Sequence, residues 1–462
     1  MFGIYATNPD ESLCASIAWT LWTEGRLATD LLQGALPGIE HSVYWTPPFY
    51  YFVLAGWQGL FGPDLLSVRS LSLVLGLALI IILWQRRRSV GAPAWTACGL
   101  ILFDPALQRA ASMGRMDMLA ITLTVGSLTV LEVCRGRGRD IGAGMLAAAA
   151  CLTHPLGAAA MASAGLTSLL RGRRPLLLFL CGSAPLLLAW GLYIAVDVDT
   201  FVAQMQLQLE VKAGRARSPL DNLQRVAEFS GNVAPLMLAS FLGGMAGLIA
   251  GRRELLPWLI GAVCLAPVIL LSGELIYPAY MAPFTAVGLG WWLRLSRWAR
   301  RALLAAVLGL GVTLAIDPPP LAGIDPYNND YCANVASRLG ANHSVVLAVV
   351  PDPWFCLRKR SDLQIRLAPP VHLTREQLRT YIGKADDVVL GGYNPPGFDD
   401  VVREWDNWAT PGQRLWIVDG EVYSFAEYRE HLRLSRHEPD DALSRKAAAN
   451  RRASTRPPHG DE

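Results

Sequence analysis

Two adjacent carboxylates open the first candidate site, in the run Asn8-Pro9-Asp10-Glu11, ahead of a stretch in which Ile17, Ala18, Leu21 and Trp22 repeat at helical spacing. A carboxylate so placed can remove a proton from an incoming hydroxyl as a general base. The same acids also suit a helix amino end, where Asp caps free N–H groups and negative charge meets the positive dipole end. Gly114-Arg115-Met116-Asp117 sets a cation beside a carboxylate. Arg115 could hold an anionic phosphate while Asp117 orients it, binds a metal or closes a plain ion pair. Lys212, Arg215 and Arg217 form a further cationic run, suited to a lipid phosphate or to a solvated amphipathic segment. His154 precedes Pro155 and is either a site residue or a satisfied histidine at a helix break. Tyr277 and Tyr280 flank Pro278 and are either site residues or aromatic anchors at a membrane interface.

The elements that must position these residues are membrane spans. The chain has 462 residues, 52% of them hydrophobic and 17% charged, against about 25% charged in a soluble domain. A net charge of +3 without a basic-aromatic stripe argues against a nucleic-acid partner. The apolar residues come in long blocks, and a spanning helix needs roughly 20 of them. Spans are predicted at Leu65–Trp84, Pro93–Gln108, Met118–Cys134, Ile141–Thr153, Pro155–Leu170, Pro175–Val196, Asn232–Ala250, Leu255–Ser272, Pro278–Leu293 and Ala302–Ile316. The fold class expected is an α-helical polytopic membrane protein with about ten transmembrane helices. Ile141–Leu170 also reads as one kinked hairpin around His154-Pro155.

Arginine clusters at 86–88, 135–139, 171–174, 252–253 and 294–301 punctuate these blocks. Short Lys/Arg-rich loops stay in the cytoplasm, and all five clusters can lie on that side together. The candidate site residues then fall outside, in residues 1–64, the turns at 109–117, 154 and 273–277 and the loop 197–230, with Tyr280 at the outer boundary of its span, and everything after 316 is outside as well. Trp45-Thr46-Pro47-Pro48-Phe49-Tyr50-Tyr51 leads into an aromatic segment read as a helix along the outer surface. Nothing before Asp10 resembles a signal peptide or a first span, so a spanning helix ahead of Met1, or one from a partner, is expected.

The predicted organisation is an extracytoplasmic loop with amphipathic helices at 1–64, a transmembrane body at 65–316, an α/β domain at 317–430 and a disordered tail at 431–462. Pro318-Pro319-Pro320 forms a stiff linker. Strands are expected at Ser344–Val350, Asp387–Leu390 and Leu415–Val418, with a helix at Arg375–Lys384. Cys332 and Cys356 both fall in this external domain, where an oxidising compartment permits a disulfide.

Taken in order, Asp10-Glu11, the helix after it, Pro47-Pro48-Phe49-Tyr50-Tyr51, Phe61-Gly62, Arg69, Gly114-Arg115-Met116-Asp117 and His154-Pro155 resemble the GT-C membrane glycosyltransferases of the protein O-mannosyltransferase and aminoarabinose transferase type. The resemblance covers roughly 8–170 by motif and the rest by topology. It implies a multi-pass cell (inner) membrane enzyme that moves a sugar from a polyprenyl-phosphate donor to an extracytoplasmic protein, lipid or glycan. In that frame Asp10 is the base with Glu11 supporting it, Asp117 is the acid after the second-loop arginine, and Arg115, Lys212, Arg215 and Arg217 receive the donor phosphate. Some relatives use a divalent metal ion, for which Asp10, Glu11 and Asp117 are the ligands on offer. Where some relatives carry a lysine before the proline, this chain has Thr46.

Two other readings compete. A lipid or solute transporter, or flippase, would place charges at mid-membrane and repeat its halves, and neither pattern is visible. A catalytically inactive glycan-binding scaffold would have no need of Asp10, Arg115 and Asp117.

Overall fold

The computed structural model of the protein describes residues 9–85, 104–215, 218–222, 224, 234–251, 255–272, 274, 276–295, 301, 329–350, 352–369, 371, 373–391, 397–419 and 421–430. Helices α1 (Pro9–Glu24), α2 (Phe49–Phe61) and α3 (Leu65–Gln85) come first, then α4 (Pro105–Ser112), α5 (Asp117–Val133) and α6 (Arg137–Cys151). A short 3-10 turn at Pro155–Gly157 opens α7 (Ala158–Leu170), followed by α8 (Arg173–Val196), α9 (Val198–Arg215), α10 (Ala234–Ala250), α11 (Leu256–Ser272) and α12 (Pro278–Leu295). The predicted spans Ala302–Ile316 and the first part of Pro93–Gln108 lie outside the described residues.

Among the described residues, α3 and α8 are each long and apolar enough to cross a bilayer. The pair Ala106–Ser112 and Asp117–Val133 qualifies together, bent by 113° at its break. The remaining apolar helices Pro155–Leu170, Phe241–Ala250 and Leu256–Ser272 are shorter. Only 17% of the most apolar stretch of α8 is buried, and its Leu177, Leu188 and Leu192 stand exposed. In water that face would be costly; against lipid it is the expected surface.

Inside the body, helices meet through small residues. A Cβ on Gly144 of α6 would sit 2.1 Å from the Phe179 carbonyl of α8, and one on Gly182 of α8 would sit 2.1 Å from the Ile141 carbonyl. With lipid on the outside, dispersion contacts of this closeness hold helices together. Asp104 is a helix cap: its side chain accepts the Leu107 N–H at 2.8 Å, and Pro105 stands at the start of the helix.

The carboxyl-terminal unit is a five-stranded sheet built from β1 (Ser344–Val349), β2 (Gln364–Leu367), β3 (Asp387–Gly391), β4 (Arg414–Asp419) and β5 (Glu421–Ser424), in the order β2-β1-β3-β4-β5. All pairs are parallel except β4 with β5. Helices α13 (Asn329–Arg338), α14 (Trp354–Leu357), α15 (Arg375–Ile382), α16 (Phe398–Arg403) and α17 (Trp405–Trp408) complete it. Sequence patterning misses β2 and β5. The strand β2 carries the buried Arg366, whose guanidinium stacks on the Tyr381 ring at 4.8 Å.

Strand alternation gives the sheet two apolar faces. Val346, Ala348, Val388 and Leu390 pack with α15, α16 and α17. Val345, Leu347, Val349 and Val389 join one core with Leu13, Ile17 and Ala18 of α1, Tyr50, Tyr51 and Leu54 of α2, and Val68 and Leu71 of α3. The first helix is therefore not laid on an open surface, as its pattern suggests. It is clasped between α2 and the carboxyl-terminal sheet, with residues 11–15 all buried.

Candidate functional site

The site forms where α1 begins and where the α4–α5 pair breaks. Arg69 lies one turn into α3 and is fully buried, as is Glu11. A buried arginine in an apolar helix needs a partner, and Arg69 donates to Glu11 through Nε (2.9 Å to Oε1) and Nη2 (2.8 Å to Oε2). Glu11 Oε1 also accepts the Gly114 N–H at 2.7 Å. Gly114 is required here by close approach: a Cβ would fall 2.2 Å from Val68 Cγ1 and 3.4 Å from that same Glu11 oxygen. Glu11 thus ties α1 to α3 and to the break between α4 and α5.

The break projects Arg115. Its Nη1 donates to Asp10 Oδ2 at 2.6 Å and its Nε to Asp117 Oδ2 at 3.1 Å. Asp117 occupies the first turn of α5, where the helix dipole favours a negative charge. Its other oxygen, Oδ1, accepts the Tyr280 hydroxyl at 3.1 Å. The three acids differ in access: the Asp10 side chain is 49% exposed, whereas Glu11 and Asp117 are at 0%. Of the three, only Asp10 is open to solvent.

Tyr277 and Tyr280 are buried, so neither serves as an anchor at a free interface. They box in His154, with ring centroids 5.5 and 5.3 Å from the imidazole. His154 Nδ1 accepts the Leu156 N–H at 3.1 Å, capping the turn at Pro155. Burial pushes its pKa down to about 4, so at neutral pH the ring is uncharged and carries its proton on Nε2. Lys212 of α9 lies on the far side of Tyr277, donating to its hydroxyl at 3.4 Å and to Glu274 Oε1 at 2.9 Å. The helix α9 is held to the loop before α2 by Gln204, which donates to the Pro37 and Ser42 carbonyls, and by Gln208, which donates to that of Trp45.

The structure therefore brings Asp10, Glu11, Arg115, Asp117, His154, Tyr277, Tyr280 and Lys212 into one continuous chain of contacts. Arg217 and the Arg215 side chain lie outside the described residues. Sequence reasoning passed over Glu274 and gave Arg69 no role. A buried arginine early in an apolar span was the signal for the second; nothing local marked Glu274. A divalent cation on Asp10, Glu11 and Asp117 does not fit these donors. Glu11 is engaged by Arg69 and Gly114, and Arg115 already neutralises the other two. Among the described residues no group of three or more His, Cys, Asp or Glu is arranged to hold a metal.

A body of apolar helices with a bent pair at the site, joined to a small five-stranded sheet, is a fold this chain shares with solved membrane-protein structures. Two crystal structures of ArnT, the aminoarabinose transferase of Cupriavidus metallidurans, resemble it over nearly their whole length. The apo structure matches with a TM-score of 0.56 at 17% identity, over 90% of this chain and 89% of that one. The structure bound to undecaprenyl phosphate gives 0.55 at 16% identity over the same shares. At such identity the likeness is one of fold. No protein-family model and no curated protein sequence matches the chain.

Proposed function

We propose that the protein is a membrane glycosyltransferase that moves a sugar from a polyprenyl-phosphate carrier to an acceptor on the non-cytoplasmic side. The observation that carries this is the Arg115 bridge between a half-exposed Asp10 and a buried Asp117 at the break of a bent span. Irregular backbone at such depth is tolerated where it lines a polar site. The fold shared with a protein crystallised with undecaprenyl phosphate supports the donor class. Five arginine clusters, read from the sequence as cytoplasmic loops, support the outward orientation, with about ten spans in an inner-type membrane and the sheet domain outside.

In this reading Asp10 takes the proton from the acceptor hydroxyl as that oxygen attacks the anomeric carbon. The bond from the anomeric carbon to the phosphate oxygen breaks, and the electron pair leaves with polyprenyl phosphate. Arg115 and Lys212 carry the positive charge that stabilises the departing phosphate. Attack opposite the leaving group inverts the anomeric centre. Asp117 keeps the Arg115 fork in place while Tyr280 fixes Asp117, and Glu11 holds the frame. His154 offers its Nε2 proton as a neutral hydrogen-bond donor.

Membranes carrying the full-length protein and labelled polyprenyl-phosphate sugar provide the test. Asp10→Asn should reduce transfer by about a hundredfold or more, the usual contribution of a general base, at unchanged protein level. Transfer at the wild-type rate in that variant overturns the assignment of the base.

A further inference from the structure

The sheet domain reaches into the site through a single buried carboxylate. Asp352, between β1 and α14, is 1% exposed, and Ser12 of α1 is fully buried. Asp352 Oδ1 accepts the Trp354 N–H at 2.9 Å, and Oδ2 accepts the Ser12 hydroxyl at 2.5 Å. Ser12 stands two residues from Asp10 and next to Glu11, in the first turn of α1. The segment that carries Asp352 is itself anchored twice. Cys356 of α14 is disulfide-bonded to Cys332 of α13. Arg358 donates to Asp64 at 3.0 Å, just ahead of α3 and its Arg69. A main-chain bond from Leu367 N to the Leu31 carbonyl (2.6 Å) ties the edge strand to the segment after α1.

These links lie at a junction where the sheet and α1 also share one apolar core. A polar clamp at such a junction adds direction, since a hydrogen bond fixes geometry where apolar contact does not. Resting on the glycosyltransferase reading, we infer that Asp352 is a positioning residue for Asp10. Through Ser12 it fixes the first turn of α1, so that Asp10 stays in line with Arg115, and the Cys332–Cys356 bond holds Asp352 in place. The sheet domain is in this sense a part of the active site that touches no substrate, and reduction of its disulfide loosens the base.

The test uses full-length protein in membranes or detergent, with two readouts. In transfer assays Asp352→Leu should lower kcat by about tenfold or more, within the cost expected of a displaced catalytic group, with the donor KM unchanged. Asp352→Asn, whose Oδ1 can still accept the Trp354 N–H while its Nδ2 donates to the Ser12 hydroxyl oxygen, should restore most of that loss. In hydrogen–deuterium exchange, Asp352→Leu, or Cys332→Ser with Cys356→Ser, should speed exchange in 9–24 severalfold while 173–196 stays as in wild type. Unchanged exchange in 9–24 overturns the inference, whatever the assay shows. Faster exchange with no transfer by the wild-type protein keeps the clamp and sinks the glycosyltransferase reading. Asp352→Asn as impaired as Asp352→Leu overturns the hydrogen-bond role. A variant that fails to insert is recognised by faster exchange in 173–196, and Ser12→Ala then takes its place, with the same two readouts deciding.

Discussion

Arg115 Nη1 lies 2.6 Å from Asp10 Oδ2, closing a contact between residues 105 positions apart in the chain. The same guanidinium reaches Asp117 through Nε at 3.1 Å. One planar fork thus sets the distance between an exposed carboxylate and a buried one, which a point charge on a flexible stem cannot do.

Arg115→Lys keeps the positive charge and removes the fork. Transfer should fall by about tenfold to a hundredfold, because two charge-assisted bonds can no longer form at once. Steady-state kinetics with labelled polyprenyl-phosphate sugar would read this chiefly in kcat, and a variant with wild-type kcat would show that charge alone suffices.

Glu11→Gln leaves Arg69 charged and buried with a weaker partner. Breaking such a pair costs about 3–5 kcal/mol, so the variant should unfold at clearly lower temperature in detergent. Gly114→Ala acts on the same knot by sterics, pushing the turn away from Val68 and stretching the bond to Glu11. Both should lower thermal stability, whereas Asp10→Asn should not. Equal melting of all three would refute the division between frame and base.

Lys212 is paired with Glu274 at the edge of the site. If it receives the donor phosphate, Lys212→Gln should raise the donor KM severalfold with a smaller change in kcat. Glu274→Gln, which releases the cation, should lower that KM. The salt dependence of KM should shrink in the lysine variant, as expected for a lost charge contact.

Asp352 adds a dependence on pH. Burial raises its pKa from the ordinary 3.8 to about 6. A carboxyl raised on folding stabilises the fold fully below its unfolded pKa, near 4, and loses that contribution as pH climbs through about 6. The groups that bear on it are Ser12 and Glu11 from α1, Trp354 N–H from α14 and Tyr331 from α13. Melting temperatures from pH 4 to 7 should therefore fall more in the wild type than in Asp352→Asn, by the equivalent of at most about 3 kcal/mol. Parallel curves would remove Asp352 from the account.

The apolar helical character and the candidates Asp10, Arg115 and Asp117, which the structure brings together, were legible in sequence because each follows from composition or local spacing. Hydrophobic blocks must be buried in lipid, and arginines at their ends must stay wet. The strands β1, β3 and β4 were legible for a like reason, as apolar runs bounded by turn residues. What the chain alone left open was which charge meets which. Whether Arg115 joined Asp117 only, or also Asp10, depended on a 113° bend that Gly114 permits and on the buried Glu11–Arg69 pair that holds it. The division between Asp10 as the open acid and Glu11 as the buried one could not be read from two adjacent carboxylates. It was decided by α3 on one side and by a sheet more than three hundred residues further along on the other, since |i−j| between Ser12 and Asp352 is 340. Local chemistry is written in neighbouring residues, but solvent access and charge pairing belong to the packed molecule.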